Sequence, residues 1–308
     1  NYTDEVLERI FIPKNAFITS ASVGYNQLNI DSSYTLISFE DRMSSKVLNG
    51  FFMNGSLDSL RLIGMASTTY HLFEDSLYKG KNLTSGDTII MRFDEKDLDD
   101  IVVDGGSQGE YVPNKKTNDS DFPLIYSADR IDYFLKTETT KLIGNAKAKH
   151  ENTDLKAGFI EVNWPSRILN AFPKQPHDSI NQFIKPTIIE KGRDPMVGNE
   201  MTYNLDTKKG RINYGKTKAD DGFYKGKEIR NESDKTIYIK NSIFTTCDLD
   251  TPHFHFESNK MKIIQDDVVI AKPIILKIAE IPLFGIPLAI FPHQGGRRHS
   301  GWIMPAYG

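Results

Sequence analysis

The sequence predicts an all-β fold built from stacked antiparallel strand repeats, on three observations. The apolar pattern has a period of two, short strand-like runs recur with turn residues between them, and helix-period stretches are scarce. The period is clearest around Leu142. There Leu142, Gly144, Ala146 and Ala148 fall on one face and Lys141, Asn145, Lys147 and Lys149 on the other, with Ile143 the exception. Successive side chains of a strand point to opposite faces, so one face is apolar and small and the other charged. The same alternation runs through Ile131, Tyr133 and Leu135, and through Ile274, Leu276 and Ile278.

The repeats are weak but visible. Leu60-Arg61-Leu62-Ile63-Gly64-Met65-Ala66 parallels Thr140-Lys141-Leu142-Ile143-Gly144-Asn145-Ala146. Each is followed by a run with a glycine near its start, Gly86 to Phe93 and Gly158 to Trp164. A third copy is offset: Asn199 to Tyr203 parallels Asp129 to Tyr133, and Arg211 to Gly215 stands for the glycine-ended strand. Units that cannot bury their own faces must stack on their neighbours. The inner faces carry small or flexible residues, among them Gly64, Ala66, Met91, Gly144, Ala146 and Ala148, and such a face can leave a groove. The candidate groove residues are Leu62, Ala66, Met91, Phe93, Tyr133, Leu142, Ala146, Ala148, Ile212, Tyr214, Ile274 and Leu276.

Elsewhere the chain reads as follows. Asp4 to Ile12 suits a short helix or a strand, and Ala21 to Phe52 alternates as β segments do. Asp104-Gly105-Gly106 to Asp121 is rich in Gly, Asn, Lys and Asp and predicts a surface loop. Pro173 to Pro195 holds four prolines, so it crosses an edge or links two halves, and a domain boundary falls here if there is one. This divides the chain into 1–173, a connection over 174–196, 197–280, and a terminal stretch over 281–308. That last stretch steps through Pro282, Pro287 and Pro292 with apolar residues between them. Proline lacks a ladder N–H and clashes inside a helix, so this is neither a regular helix nor a central strand. No run of about 20 apolar residues escapes proline, so it is not a membrane helix. Such a segment is expected to be buried against other parts of a protein.

With 39% hydrophobic and 26% charged residues the chain is globular. Its net charge of −3, with both signs mixed, gives no nucleic-acid footprint. It starts at Asn1 without a signal segment and ends inside a motif, and so reads as a fragment or a processed form. The single cysteine, Cys247, excludes an internal disulfide, and by itself reads as a buried free thiol. His253, His255 and Glu257 share one face of a strand, and two imidazoles and a carboxylate are competent metal ligands. Their spacing resembles the HxH of cupin jelly rolls, although residues 258–261 supply no further ligand. The alternative is an amphipathic strand with a polar outer face. The sequence has no Gly-x-Ser-x-Gly elbow and no Walker loop, and no catalytic residue or cofactor is assigned.

The terminal motif carries a family resemblance. Its stepped prolines, then Arg297-Arg298-His299-Ser300-Gly301-Trp302 and Pro305, resemble the junction of LptD/OstA proteins, which assemble lipopolysaccharide at the outer membrane. The likeness extends upstream through Asp221 to Gly226, Phe244 to Asp248 and Pro252 to Phe254, and so covers roughly residues 197–308. It implies an elongated, open β-jellyroll on the periplasmic side of the cell outer membrane, with lipopolysaccharide acyl chains in the groove. It further implies three protein partners: a periplasmic bridge protein of similar fold added at the N-terminal edge, an outer-membrane plug lipoprotein, and the chain's own C-terminal barrel. Pro282, Pro287, Pro292, Arg297, Arg298, Ser300 and Gly301 would form the barrel junction. Arg297 and Arg298 would meet lipid phosphates or pair with carboxylates at the rim. Cys247 would pair with a cysteine beyond Gly308. A soluble bridge protein of the same repeat type and a metal-dependent jelly-roll enzyme are the two rival readings.

Overall fold

A computed structural model describes residues 2–3, 6–27, 34–94, 97–114, 122–174, 183–192, 194–219, 222–233, 235–249, 251–264 and 267–292. Among these the chain is all strand and turn, with no helix. The strands begin with β1 (Tyr2–Thr3), β2 (Val6–Leu7), β3 (Arg9–Ile12), β4 (Ala16–Gln27), β5 (Tyr34–Ser45), β6 (Val47–Met53), β7 (Ser56–Glu74) and β8 (Leu77–Asp94). Next come β9 (Asp97–Pro113), β10 (Leu124–Phe134), β11 (Thr139–His150), β12 (Thr153–Asn163), β13 (Ile168–Phe172), β14 (Thr187–Glu190), β15 (Met196–Val197) and β16 (Glu200–Asn204). The last are β17 (Gly210–Ala219), β18 (Gly222–Ser233), β19 (Thr236–Thr245), β20 (Phe254–Ile264), β21 (Val268–Lys272), β22 (Ile274–Ile278), β23 (Ile281–Ile286) and β24 (Ala289–Pro292). They fall into two compact units, Asn1–Gly192 with Thr202–Thr207, and Arg193–Met201 with Lys208–Gly308.

In the first unit the long strands are bent. Tyr126 and Tyr133 lie on β10 seven residues apart, yet their hydroxyls are 3.1 Å from each other. A straight strand would separate them by about 23 Å. The bend sits where the register slips between Ala128 and Arg130. Matching slips lie between Ile63 and Ala66 on β7, Ser85 and Thr88 on β8, and Ile143 and Ala146 on β11. The extra residues come as left-handed pairs: Gly64 and Met65 (φ 81° and 52°), Gly105 and Gly106 (80° and 59°), Gly144 and Asn145 (73° and 47°). A bulge of this kind bends its strand, and glycine enters the left-handed region without a Cβ penalty. Asp129 closes one corner by accepting hydrogen bonds from Asn145 Nδ2 at 2.9 and 3.1 Å. A Cβ on Gly144 would collide with that same carboxylate. Each bent strand therefore serves two sheets, which pack face to face.

The stretch from Asp104 that reads as a surface loop is strand instead. β9 runs through it to Pro113, and Gly105-Gly106 is its corner. A left-handed corner and a loop call for the same residues, so composition does not separate them. β13, before the proline-rich stretch, and β14, within it, share one flank of β12. β13 pairs with one half of β12 and β14 with the other. The backbone N–H of Gly158 donates to Ile184 O, and that of Ile184 to Pro173 O, each at 3.0 Å.

The core of the first unit is a cross-strand row. Leu48, Leu62, Ile89, Val103, Ile131, Leu142, Ile160 and Ala171 lie directly opposite one another across β6 to β13. None is more than 2% exposed. The second unit repeats the device with Ile212, Ile229, Ile239, Met261, Ala271 and Ala289, all buried, across β17, β18, β19, β20, β21 and β24. Because side chains alternate, the neighbouring residues form two outward rows. One holds Arg211, Arg230, Tyr238 and Lys262; the other holds Asn213, Glu228, Lys240, Lys260 and Lys272. The Glu228 carboxylate meets Arg211 at 2.8 Å, Arg230 at 2.6 Å and Lys240 at 2.9 Å.

The stepped prolines sit on a broken strand. β23 pairs with β22 and β24 with β21, and Pro287 falls at the break between them. Far from being buried, Ile281, Leu283, Phe284, Leu288 and Ile290 are exposed, on both faces of these strands.

Two outcomes follow. Gly144→Ala puts a Cβ on a left-handed residue and against Asp129; it should lower stability by at least about 1–2 kcal/mol in urea unfolding, and no loss would count against the corner. Glu228 is held below its usual pKa, first by the Lys240 hydrogen bond and then by Arg230 and Arg211. Its stabilisation is therefore full above the unfolded value of about 4.3 and is lost as pH falls through the lower folded value. Unfolding measured at stepped pH should show this acid loss, and Glu228→Gln should remove that part of it.

Candidate functional site

The inner faces hold most of the candidate groove residues. Leu62, Ala66, Met91, Leu142, Ala146, Ala148 and Tyr133 are buried in the first unit, and Ile212 and Ile274 in the second. Phe93 and Leu276 are half-buried. Tyr214 departs from the set. It occupies a left-handed corner (φ 51°) between the paired residues Asn213 and Gly215, and is 61% exposed. The corner adds a residue to the alternation and turns the ring outward. Along the aliphatic rows the faces close on their own side chains, so the open space lies elsewhere.

That space is a cleft in the first unit of about 430 Å³, walled by Leu72, Phe73, Tyr133, Phe134, Leu135 and Trp164. Its size lies within the range of ordinary ligand pockets. Trp164 Nε1 donates to Thr140 Oγ1 at 2.8 Å, and its ring centroid is 4.8 Å from that of Tyr111. The Arg167 guanidinium lies 5.8 Å over the Tyr111 ring and 3.7 Å from the Asp206 carboxylate. The walls are thus mixed, with apolar and aromatic side chains alternating with Lys79, Glu138, Thr140, Arg167 and Asp206.

Behind the cleft a polar cluster ties the two sheets together. The Tyr126 hydroxyl donates to Asn82 Oδ1 at 2.6 Å, and the Tyr133 hydroxyl meets Thr84 Oγ1 at 2.9 Å and the Tyr126 hydroxyl at 3.1 Å. Burial pushes both phenols up, that of Tyr126 furthest, so they stay neutral donors. Tyr126, Asn82 and Thr84 were not legible as partners of Tyr133, because only the bend brings residues seven apart on one strand together. Trp164 lines the cleft.

The His253, His255 and Glu257 constellation does not assemble. His253 precedes β20 and is exposed, with Nδ1 3.7 Å from Cys247 Sγ. His255 is buried opposite Lys277, and Glu257 is ion-paired to Lys277. Among the described residues no group of three His, Cys, Asp or Glu is placed to hold a metal. Cys247 is half-buried. Pro282 and Pro287 are exposed, and Arg297, Arg298, Ser300 and Gly301 lie outside the described residues.

No protein-family model matches this chain, and no curated protein matches it. Among solved structures it is similar to LptH from Pseudomonas aeruginosa, described as the LptA-homologous periplasmic component of the lipopolysaccharide transport device. The likeness covers 49% of this chain and 94% of that one, at 14% identity and a TM-score of 0.39, and carries no functional argument.

Proposed function

We propose that this chain is a lipid-carrying β-jellyroll of lipopolysaccharide transport on the periplasmic side of the outer membrane. Acyl chains would lie between its inner faces and pass toward a membrane barrel of the LptD/OstA kind. The observation that carries this reading is the unbroken aliphatic row crossing eight strands, in a unit that also holds a cleft partly walled by Leu72, Phe73, Phe134, Leu135 and Trp164. Each CH₂ buried there contributes about 0.8 kcal/mol, so several acyl chains bind firmly with no residue-specific chemistry. The motif likeness over roughly residues 197–308 supplies the cargo and the partners. These are lipopolysaccharide, a bridge protein at the N-terminal edge, a plug lipoprotein, and the chain's own barrel, joined through the stretch 281–308. On the same likeness Cys247 pairs with a cysteine beyond this chain.

Loading requires the two sheets to part, and the tyrosine cluster opposes that. A photo-crosslinking residue at Leu72 or Phe134, on the cleft wall, should capture lipopolysaccharide, whereas one at exposed Lys147 should not. Equal capture at both would sink the reading. Tyr126→Phe with Tyr133→Phe removes the hydroxyls that bridge the sheets. The pair should cost about 1–3 kcal/mol of stability and speed uptake of a fluorescent lipid A. Lower stability with unchanged uptake would show that the cluster is no latch.

A further inference from the structure

The outer face of the second unit carries a charge arrangement that the lipid reading does not use. Arg211 stands directly opposite Arg230, Lys240 opposite Lys260, and Lys260 opposite Lys272. Like charges in directly opposed positions destabilise a sheet. With Lys227 at the corner and Lys262 beside Tyr238, seven cations outnumber the two nearby carboxylates, Glu228 and Glu200 (the latter held by Asn213 Nδ2 at 2.9 Å), in a chain whose net charge is −3. Glu228 is already engaged by three of them. Lys227, Lys260 and Lys272 make no ion pair among the described residues. A surface of this kind is relieved by an anion from outside.

The shape narrows what that anion is. On this face lies a cleft of about 660 Å³ with Arg211, Lys227, Lys240 and Lys260 on its walls. Between them stand the Asn241 and Asn259 amides and the Tyr214 ring. The left-handed corners at Tyr214 (φ 51°) and Asn241 (φ 47°) turn these two side chains outward beside the cations. Guanidinium and ammonium groups suit phosphate oxygens. Amides both donate to and accept from hydroxyl groups, and an exposed ring offers a flat apolar face to a sugar. The concavity disfavours a planar bilayer. We propose that this cleft binds a phosphorylated sugar, with Arg211, Lys227, Lys240 and Lys260 on the phosphate and Asn241, Asn259 and Tyr214 on the sugar. The site is on the outer face and does not depend on what lies between the sheets.

Calorimetric titration of the whole chain at low ionic strength tests this, with glucose 6-phosphate, inorganic phosphate and glucose as separate ligands. Glucose 6-phosphate should bind at least about tenfold more tightly than inorganic phosphate, and glucose should give no heat. Lys240→Gln with Lys260→Gln should weaken the sugar phosphate by about tenfold or more. Glu228→Gln, which removes the competing carboxylate, should tighten it. Tyr214→Ala, at an exposed corner, should weaken glucose 6-phosphate and leave inorganic phosphate unchanged. Lys147→Gln with Lys149→Gln, on an exposed basic strand of the first unit, is the control and should change nothing. Equal binding of phosphate and glucose 6-phosphate would overturn the proposal, as would the absence of binding. So would binding confined to phosphatidylglycerol vesicles, which would make the face a membrane-docking surface. A loss matched by the control pair would reduce it to nonspecific charge.

Discussion

The structure depends on a backbone constraint: a strand can serve two sheets only if it turns sharply without losing its ladder. Here the turn is made by consecutive left-handed residues, Gly64-Met65, Gly105-Gly106 and Gly144-Asn145. The two extra residues leave the side-chain parity intact. Leu142 before the corner and Ala146 after it both face inward. Where a strand cannot turn this way it is broken. Lys46 separates β5 from β6, and Pro287 separates β23 from β24. Glycine pairs, a lone lysine and a proline thus do the same architectural work by different means.

Once the strands are bent, the interior is fixed by register. The residues of the aliphatic row stand directly opposite one another, so each packs against two neighbours on its own face. A one-residue slip of any strand would send its share of the row to solvent. Beyond the corner the same face becomes smaller and more polar, with Thr68, Thr84, Gly109, Tyr126 and Ala148 in register. Tyr126 lies over Gly109, where a Cβ would strike its ring. The two sheets are therefore unlike: one offers a greasy wall, the other a wall of small groups crossed by tyrosine hydroxyls. That asymmetry lets the interior close without ligand yet keeps the closing contacts polar and separable.

How much of this was legible follows from what alternation can encode. Period two reports which residues share a face, and so Leu62, Met91, Leu142, Ala146 and Ala148 were found. The repeated glycines at 64 and 144 mark two corners, but in the sequence they show only as a repeat. Gly105-Gly106, midway between them, was hidden because its neighbours are polar and mimic a loop. Tyr214 was misplaced for a related reason, since its corner carries no glycine at the left-handed position. The histidine triplet failed because sharing a face does not bring side chains together when one is buried and another is neutralised by Lys277.

The charged exterior is a separate choice from the apolar interior. Burying the row from Ile212 to Ala271 forces residues 211, 213, 228, 230, 238, 240, 260, 262 and 272 outward, but it does not dictate their sign. In the first unit the same geometry mostly sets opposite charges in register: Lys141 faces Glu161 at 3.9 Å, Lys149 faces Asp154 at 3.7 Å, and Arg92 pairs with Asp100, with Lys147 opposite Lys156 the exception. The second unit does this once, with Glu228 opposite Lys240, and otherwise aligns Arg211 with Arg230 and Lys260 with both Lys240 and Lys272. Alternating signs across β17–β21 would keep every inward residue in place and remove the repulsion. Inward packing therefore does not dictate the sign of these rows. What accounts for them is an anion that the folded sheet meets, held where the corners also present amides and a tyrosine ring.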